Sequence, residues 1–561
     1  MRAARILNQV RELPAPRADQ AFPVLTPAQA ARVASHGNVR KVAAGELLVE
    51  AGEKNTRIFL VTSGQLEFVQ HTGRTERPIA VFQPGQFTGE IGILFGRRIL
   101  GRLRATEASE IVEVDRAVLL GLVQADAELS DIFMRAFILR RVEILSEGLA
   151  DVVVLGSAHS PDTLRIREFL TRNGHPFSYV DLDRDAGAQE LLDHFHVSVS
   201  DIPVLICRGD RVLRNPSNAA IADCLDFNEA IDDVRPRDVV VVGAGPAGLA
   251  AAVYAASEGL DALVVESNAP GGQAGSSSKI ENYLGFPAGI SGQDLAASGY
   301  VQAQKFGAQV LIAKSAKALE CKPRPLVVEI DDTARVTART VVIASGAHYR
   351  KLALDNLAQF EGAGIYYAAT FVESQLCGTQ DVIVVGGGNS AGQAAVFLAQ
   401  TARRVYLLVR GSGLANSMSR YLVRRIEDNP AIELRTHTEI VGLEGGNHLE
   451  RVNWRDNESQ KVESQAIRHV FVMTGAIPNT QWLNGCVALD EDGFIKTGPA
   501  LSPEDLSAAR WPLARSPYLL ETSLPGVFAA GDVREGNVKR VASAVGEGSI
   551  AIAFVHQFLR E

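Results

Sequence analysis

Residues 238–267 read DVVVVGAGPAGLAAAVYAASEGLDALVVES, and this stretch decides the fold. An apolar run, a glycine turn, an alanine-rich helical segment and a second apolar run follow one another within about thirty residues, the pattern of a strand–helix–strand dinucleotide unit. Gly243 permits the tight turn, Gly245 lets the backbone approach a pyrophosphate, and Gly248 allows helix and strand to pack closely. Pro246 and Ala247 complete the turn. The pyrophosphate then meets the helix amino terminus, where unpaired N–H groups and the helix dipole favour negative charge. Glu266 ends the second strand, where a carboxylate accepts hydrogen bonds from a ribose diol.

The segments downstream make the reading specific. APGGQAGSSSKIENYLGFP (269–287) supplies Gly271, Gly272, Gln273, Glu281, Asn282, Gly285, Phe286 and Pro287. VVIASGAHYR (341–350, with Ser345 and Gly346), VMTGAIPNT (472–480) and GVFAAGDVREGNVKRVASAVGEGSIAIAFVHQFL (526–559) follow in order. Together these resemble the thioredoxin reductases and the flavoprotein subunit of alkyl hydroperoxide reductases, over residues 238–561. The resemblance implies bound FAD, with Gly272, Gln273, Asn282, Gly346, Gly531 and Arg540 at the cofactor. It also implies that Asp532 hydrogen-bonds the ribityl chain and that the Val541 N–H meets the pyrimidine edge of the flavin. A helix beginning near Val541 would aim its positive end at the anion of a reduced flavin.

A second turn lies in DVIVVGGGNSAGQAAVFLAQTARRVYLLVRG (381–411), with Gly386, Gly388 and Ala391 in the fingerprint positions and Asn389 and Ser390 between them. Family architecture implies a nicotinamide domain at 354–478, inserted between FAD-domain parts at 238–353 and 479–561. The strand VYLLV ends in Arg410, which suits a 2′-phosphate better than a carboxylate would. NADPH is therefore expected rather than NADH, with Arg420 close enough to help.

Thioredoxin reductases carry Cys-Ala-Thr-Cys just before this strand. Here GIYYAATFVESQLCGTQ (364–380) places Ala368 and Phe371 at the two cysteine positions. Thiol–disulfide exchange needs a thiolate and a resolving partner, and neither residue supplies one. The five cysteines, Cys207, Cys224, Cys321, Cys377 and Cys486, include no C-x-x-C pair. That pattern argues against a disulfide scaffold and against a zinc site with local ligand spacing. Cys377 is solitary, and a relay would need distant cysteines brought together by the fold. No catalytic side chain and no metal are assigned. Hydride is expected to pass from NADPH to flavin N5, with the later acceptor unspecified. Ferredoxin–NADP reductases of the same architecture also lack cysteines here, so a ferredoxin or flavodoxin reductase is one alternative. A flavin redox sensor coupled to the amino-terminal domain is another.

Two modules precede this half. Residues 151–232 alternate strand and helix patterns, including a helix over AQELLDHF (188–195), and resemble a glutaredoxin or thioredoxin fold. Ser160 and Thr163 stand at that fold's two cysteine positions, and Ile202-Pro203 matches its cis-proline. Residues 1–150 carry AGELLVEAGEKNTRIFLVTSGQLEFV (44–69) and PGQFTGEIGILFGRRILGRLRATEASEIVEVD (84–115), which resemble a cyclic-nucleotide-binding β-roll. Gly89 and Glu90 fit its ribose contact. Ile99, Leu100 and Gly101 replace the run that holds the cyclic phosphate, so loss of the charge-assisted contact points to a ligand-free module, unless Arg97, Arg98 or Arg102 substitutes.

The chain of 561 residues is thus read as multidomain α/β: a β-roll, a thioredoxin-like unit and two Rossmann-like domains. Its net charge of −9 argues against nucleic-acid or anionic-membrane partners. The amino-terminal MRAARILNQVRELPAP has no continuous apolar stretch, and no segment reads as a membrane span. A cytoplasmic homodimer is expected.

Overall fold

A computed structural model describes residues 18–561, apart from 55, 73–74, 147–151, 158–159, 184, 186–200, 208–210, 232–234, 322–324, 332–333, 416 and 484. The helix expected over 188–195 lies outside the described residues, as does the segment 1–17.

The first module packs a three-stranded sheet (Asn38–Val42, Ser109–Asp115, Arg57–Ser63) against a four-stranded one (Leu47–Val49, Arg102–Ala105, Leu66–Thr72, Thr75–Phe82). All pairings are antiparallel. Alternation along Arg102–Ala105 sends Leu103 and Ala105 inward, where they meet Phe59, Val61, Leu66 and Ile111. Helices α1 (Arg116–Ala125) and α2 (Ala127–Ser146) follow, and Phe133 and Phe137 of α2 pack edge-on against Phe87.

In the middle unit the sheet runs Arg211–Arg214, Val204–Cys207, Val152–Gly156, Ser178–Asp181. The last two strands are parallel, so the chain must cross over between them. Helix α3 (Pro161–Arg172) makes that crossover. Its start is set by Ser160, whose hydroxyl accepts from the Thr163 N–H at 3.4 Å, and by Pro161 at the first helical position. The Ile202–Pro203 peptide is cis.

The remaining chain builds two main sheets with parallel centres, the first extended on one side by the antiparallel strands Leu326–Ile330 and Ala316–Glu320. In one, Arg237–Val242 sits between Ala262–Glu266 and Ala334–Ile343, and Val527–Ala529 adds on beside Ala334–Ile343. In the other, Ile365–Tyr366, His469–Val472, Asp381–Val385, Arg404–Leu408 and Ile432–Arg435 lie side by side. The first sheet thus recruits a strand from beyond the whole of the second. Both faces of these strands are covered, which is why they read as unbroken valine and leucine runs.

Helix α4 (Pro246–Ser257) lies on the first sheet, and α5 (Gly292–Lys305) packs on α4. Helices α6 (Phe371–Leu376) and α7 (Asn389–Leu398) belong to the second unit, and α8 (Val541–Leu559) returns to pack on α4. A Cβ at Gly548 would lie 2.2 Å from the Ala247 carbonyl oxygen, so only glycine permits this approach. Helix α8 is long and apolar enough to cross a membrane by length and composition. Its Ala551, Ile552, Val555 and Phe558 are instead packed into the core.

Candidate functional site

Each glycine of the first turn has its own constraint. Gly243 has φ +104°, and a Cβ there would lie 2.3 Å from the Ala344 carbonyl oxygen. At Gly248 the Cβ would meet the Gly243 carbonyl oxygen at 1.8 Å. Gly245, which caps α4, is different: its nearest neighbour would be the Gly272 Cα at 3.9 Å, so the missing side chain leaves cavity. That cradle has the form a pyrophosphate needs, at a helix amino terminus. Glu266 is buried, its two oxygens accepting from the Ala244 and Asn268 N–H groups at 2.8 Å each. Burial pushes its carboxyl above the usual range despite these bonds.

The second turn repeats the design. A Cβ at Gly386 would lie 2.4 Å from the Met473 carbonyl oxygen, whereas Gly388 has nothing closer than the Ser417 carbonyl oxygen at 4.0 Å. Asn389 accepts from the Ser419 N–H at 2.7 Å, and Ser417 donates to the Gly387 carbonyl at 2.8 Å, which folds residues 417–419 over the turn. Arg410 is exposed at the cavity rim, just past the strand Arg404–Leu408.

Both turns open into one cavity of about 1630 Å³. Gly243, Gly245, Pro246, Ala247, Glu266, Gly272, Gln273, Asn282 and Gly346 line it from the first sheet's side. Gly386, Gly388, Asn389, Ser390 and Arg410 line it from the second, and Gly531, Asp532, Arg540 and Val541 from the carboxy-terminal segment. Gly248 and Ala391 stay behind the wall as packing positions, and Arg420 does not reach the lining. Helix α8 begins at Val541. The turn before it is held by Glu547, which accepts from the Gly531 N–H at 2.7 Å and pairs with Arg534 at 2.5 Å. Burial raises the Asp532 carboxyl, opposed by nearby Lys539.

The connecting segments form a two-stranded link, Ala347–Tyr349 with Ala476–Pro478. Ser345 donates to the Asn479 carbonyl at 2.8 Å, and the Asn479 amide returns a bond to the Ser345 carbonyl at 2.9 Å. The Gln273 amide donates to the Ala347 carbonyl.

Two lining residues carried no sequence signal. Tyr349 lies beside Ser390 and in the field of Asp532, so it spans the two halves of the cavity. Glu373 is buried on α6, accepts from the Thr370 N–H at 2.8 Å and from its hydroxyl, and has its carboxyl raised by burial. Neither belongs to a glycine fingerprint, and their placement depends on how the two units face each other.

The cysteines differ from expectation. Residues without local partners are paired by the fold: Cys321 and Cys486 form a disulfide across 165 positions, with Cα atoms 5.3 Å apart. Packing of the short helix Gln481–Leu483 on strand Ala316–Glu320 brings them together, which spacing rules for local motifs do not see. Cys207 and Cys224, both buried, approach to 2.8 Å between sulfurs. Neither pair lines the cavity. Cys377 is fully buried, and its thiol is pushed up to about 12 by burial, which removes thiolate character. Of the two residues expected at the cysteine positions, Ala368 lines the cavity and Phe371 begins α6.

The three arginines beside Ile99 and Leu100 have acidic or carbonyl partners. Arg98 pairs with Asp226 of the middle unit and donates to the Gly52 carbonyl at 2.7 Å. Arg102 pairs with Glu50 and Glu76, and Arg97 donates to the Asn173 carbonyl at 3.2 Å. Glu90 has Arg141 at 3.8 Å.

Residues 237–548 match the family model for pyridine nucleotide-disulphide oxidoreductase, and residues 39–126 match that for the cyclic nucleotide-binding domain. The thioredoxin reductase of Mycolicibacterium smegmatis is 33% identical over 326 residues, covering 58% of this chain and 97% of the relative. NADPH-dependent thioredoxin reductase 3 of Arabidopsis thaliana is 31% identical over 373 residues, 63% of this chain and 65% of the relative. Among solved structures, T. acidophilum thioredoxin reductase is similar with a TM-score of 0.51 and 28% identity, covering 58% of this chain and 99% of that one.

Proposed function

The chain belongs to the pyridine nucleotide-disulphide oxidoreductase family, with a cyclic nucleotide-binding domain ahead of it, and on that premise we propose that its electrons stop at the flavin. It is an NADPH-dependent flavoprotein oxidoreductase of the thioredoxin reductase type, with FAD and NADPH as cofactors. The proposal is narrower: hydride passes from NADPH to FAD, no dithiol relays it onward, and the acceptor is not thioredoxin. The observation that carries it is the single cavity joining both glycine turns, in which Ala368 stands at a cysteine position and none of the described lining residues is a cysteine.

Bound FAD supplies a two-electron acceptor for the hydride. The chain's own residues do the rest. Gly245 and Gly388 leave room for the two pyrophosphates, and the amino termini of α4 and α7 offer them N–H groups. Arg410 takes the 2′-phosphate at the rim. Asp532 and the start of α8 would hold the flavin end, with Tyr349 between that side and Ser390. The middle unit belongs to this reading as a thioredoxin-like domain without its dithiol, supported by its crossover helix between parallel strands. A cytoplasmic homodimer is carried over from the family resemblance alone.

A sensor role is favoured by one observation. The first module contacts the flavin-bearing unit directly, Gln124 donating to the Lys305 carbonyl at the end of α5 at 3.0 Å.

Anaerobic titration with NADPH tests the main reading. One equivalent per flavin should bleach the flavin band fully, with no charge-transfer absorbance at longer wavelength. A requirement for two equivalents would reveal a second two-electron centre and overturn it.

A further inference from the structure

Helix α3 belongs to the middle unit, yet it walls the dinucleotide cavity along its length. At its start Pro161 lies against Gly362, where a Cβ on the glycine would be 2.7 Å from the proline Cβ. One turn on, Leu164 is buried in the apolar core of the nicotinamide unit with Tyr366, Ala369 and Cys377. At its end Arg172 crosses to the other dinucleotide unit and donates from Nη2 to the Gly272 carbonyl at 2.9 Å. The Gln293 amide, at the start of α5, donates to the Thr171 carbonyl at 2.8 Å and fixes that end of the helix.

Arg172 is placed unusually for a tether. Its side chain is only 13% exposed, and it lines the cavity together with Gly243, Gly245, Glu266 and Gly272. A guanidinium has five N–H donors and is always charged. Here one donor meets a carbonyl, Glu168 stands 3.6 Å from Nη1, and the buried Nε has no hydrogen-bond partner. Glu168 and the buried Glu266 supply part of its counter-charge, and the guanidinium donors left over beside the glycine cradle of Gly245 and Gly272 suit a further anion. A dinucleotide pyrophosphate brings two negative charges to that turn.

We infer that Arg172, reaching in from the middle unit, binds the pyrophosphate of the FAD seated on residues 243–248. The inference rests on the FAD reading above and goes beyond it, because Arg172 lies outside residues 237–548, the span shared with the family. It makes Arg172 a cofactor-binding residue and the middle unit part of the FAD site. Linkage follows: whatever docking of α3 adds to FAD affinity, bound FAD returns to the docking of the middle unit.

The test uses the full chain, stripped of FAD and titrated with FAD, ADP and riboflavin by fluorescence and calorimetry. Arg172→Ala should weaken FAD and ADP alike by about ten- to a hundredfold, the loss expected for one charge-assisted contact, and should leave riboflavin unchanged. Arg172→Lys keeps the charge without the fork and should lose less. Thermal melts with and without FAD separate folding from binding: the FAD-dependent rise in Tm should shrink in Arg172→Ala. Unchanged FAD and ADP affinities, with equal Tm losses in both forms, would make Arg172 a structural tether and overturn the inference. Failure of the unaltered chain to bind FAD would instead fault the underlying reading, and the inference with it.

Discussion

At Gly243 and Gly386 an added Cβ would press on a carbonyl oxygen, of Ala344 and Met473, at 2.3 and 2.4 Å; at Gly245 and Gly388 it would enter open cavity. The two turns therefore divide their glycines the same way, one for the chain's own path and one for the ligand. They differ where the second strand ends. The first site closes on a buried carboxylate, Glu266, whose oxygens also bind the backbone of the turn. The second closes on an exposed cation, Arg410. A buried acid beside backbone N–H groups suits a ribose diol in a resident cofactor, whereas a rim arginine suits a phosphate on a dinucleotide that comes and goes. The lesson is that fold and cofactor choice are written in different residues of the same motif.

Filling each ligand-facing glycine should have the largest effect. Gly245→Val should give folded but colourless protein, with FAD content lost essentially completely. Gly388→Val should stay yellow and lose NADPH-driven flavin reduction. Absorbance after purification and stopped-flow reduction measure the two, and equal loss of FAD in both variants would show that the sites are not independent.

Arg410→Ala sharpens the comparison at the strand end. The KM for NADPH should rise about ten- to a hundredfold while that for NADH hardly moves, since only NADPH carries the 2′-phosphate. Equal effects on both cofactors would assign the arginine a structural role.

A smaller effect is expected at the join between the halves. Tyr349→Phe removes the hydroxyl beside Ser390 and should change the NADPH KM a few-fold at most, without loss of FAD. An effect on FAD content as large as that of Gly245→Val would place Tyr349 in the flavin site proper.

Much of this was legible in the residues. The glycine fingerprints, the strand-ending Glu266 and Arg410, the Ser160 cap and the start of α8 at Val541 are local signals, each set by a few neighbouring residues. The cysteine pairing was not legible, because Cys321 and Cys486 meet only after a strand and a short helix, 165 positions apart, pack together. Tyr349, Glu373 and Arg172 were missed for the same reason. Each gains its meaning from a contact between units: Tyr349 with Ser390, α6 with the cavity, α3 with Gly272.

Glu373 offers the subtlest effect. Burial raises its carboxyl above the usual 4.5, so the folded state holds a proton that the unfolded state releases. Its contribution to stability is therefore complete below pH 4.5 and declines as pH rises toward the raised value. Glu373→Gln should flatten that decline, gaining on the unaltered protein as pH rises in chemical denaturation. A parallel pH profile for the two would show that folding does not shift the carboxyl.

Whether electrons stop at the flavin is decided by counting thiols. Oxidised thioredoxin is added to the NADPH-reduced protein under argon, and free thiols are counted per NADPH consumed. The account predicts no thiols above background, unchanged in Cys321→Ser, Cys486→Ser and Cys377→Ser variants. Stoichiometric thiol release that disappears in any of those variants would contradict it and place a cysteine relay beyond the cavity.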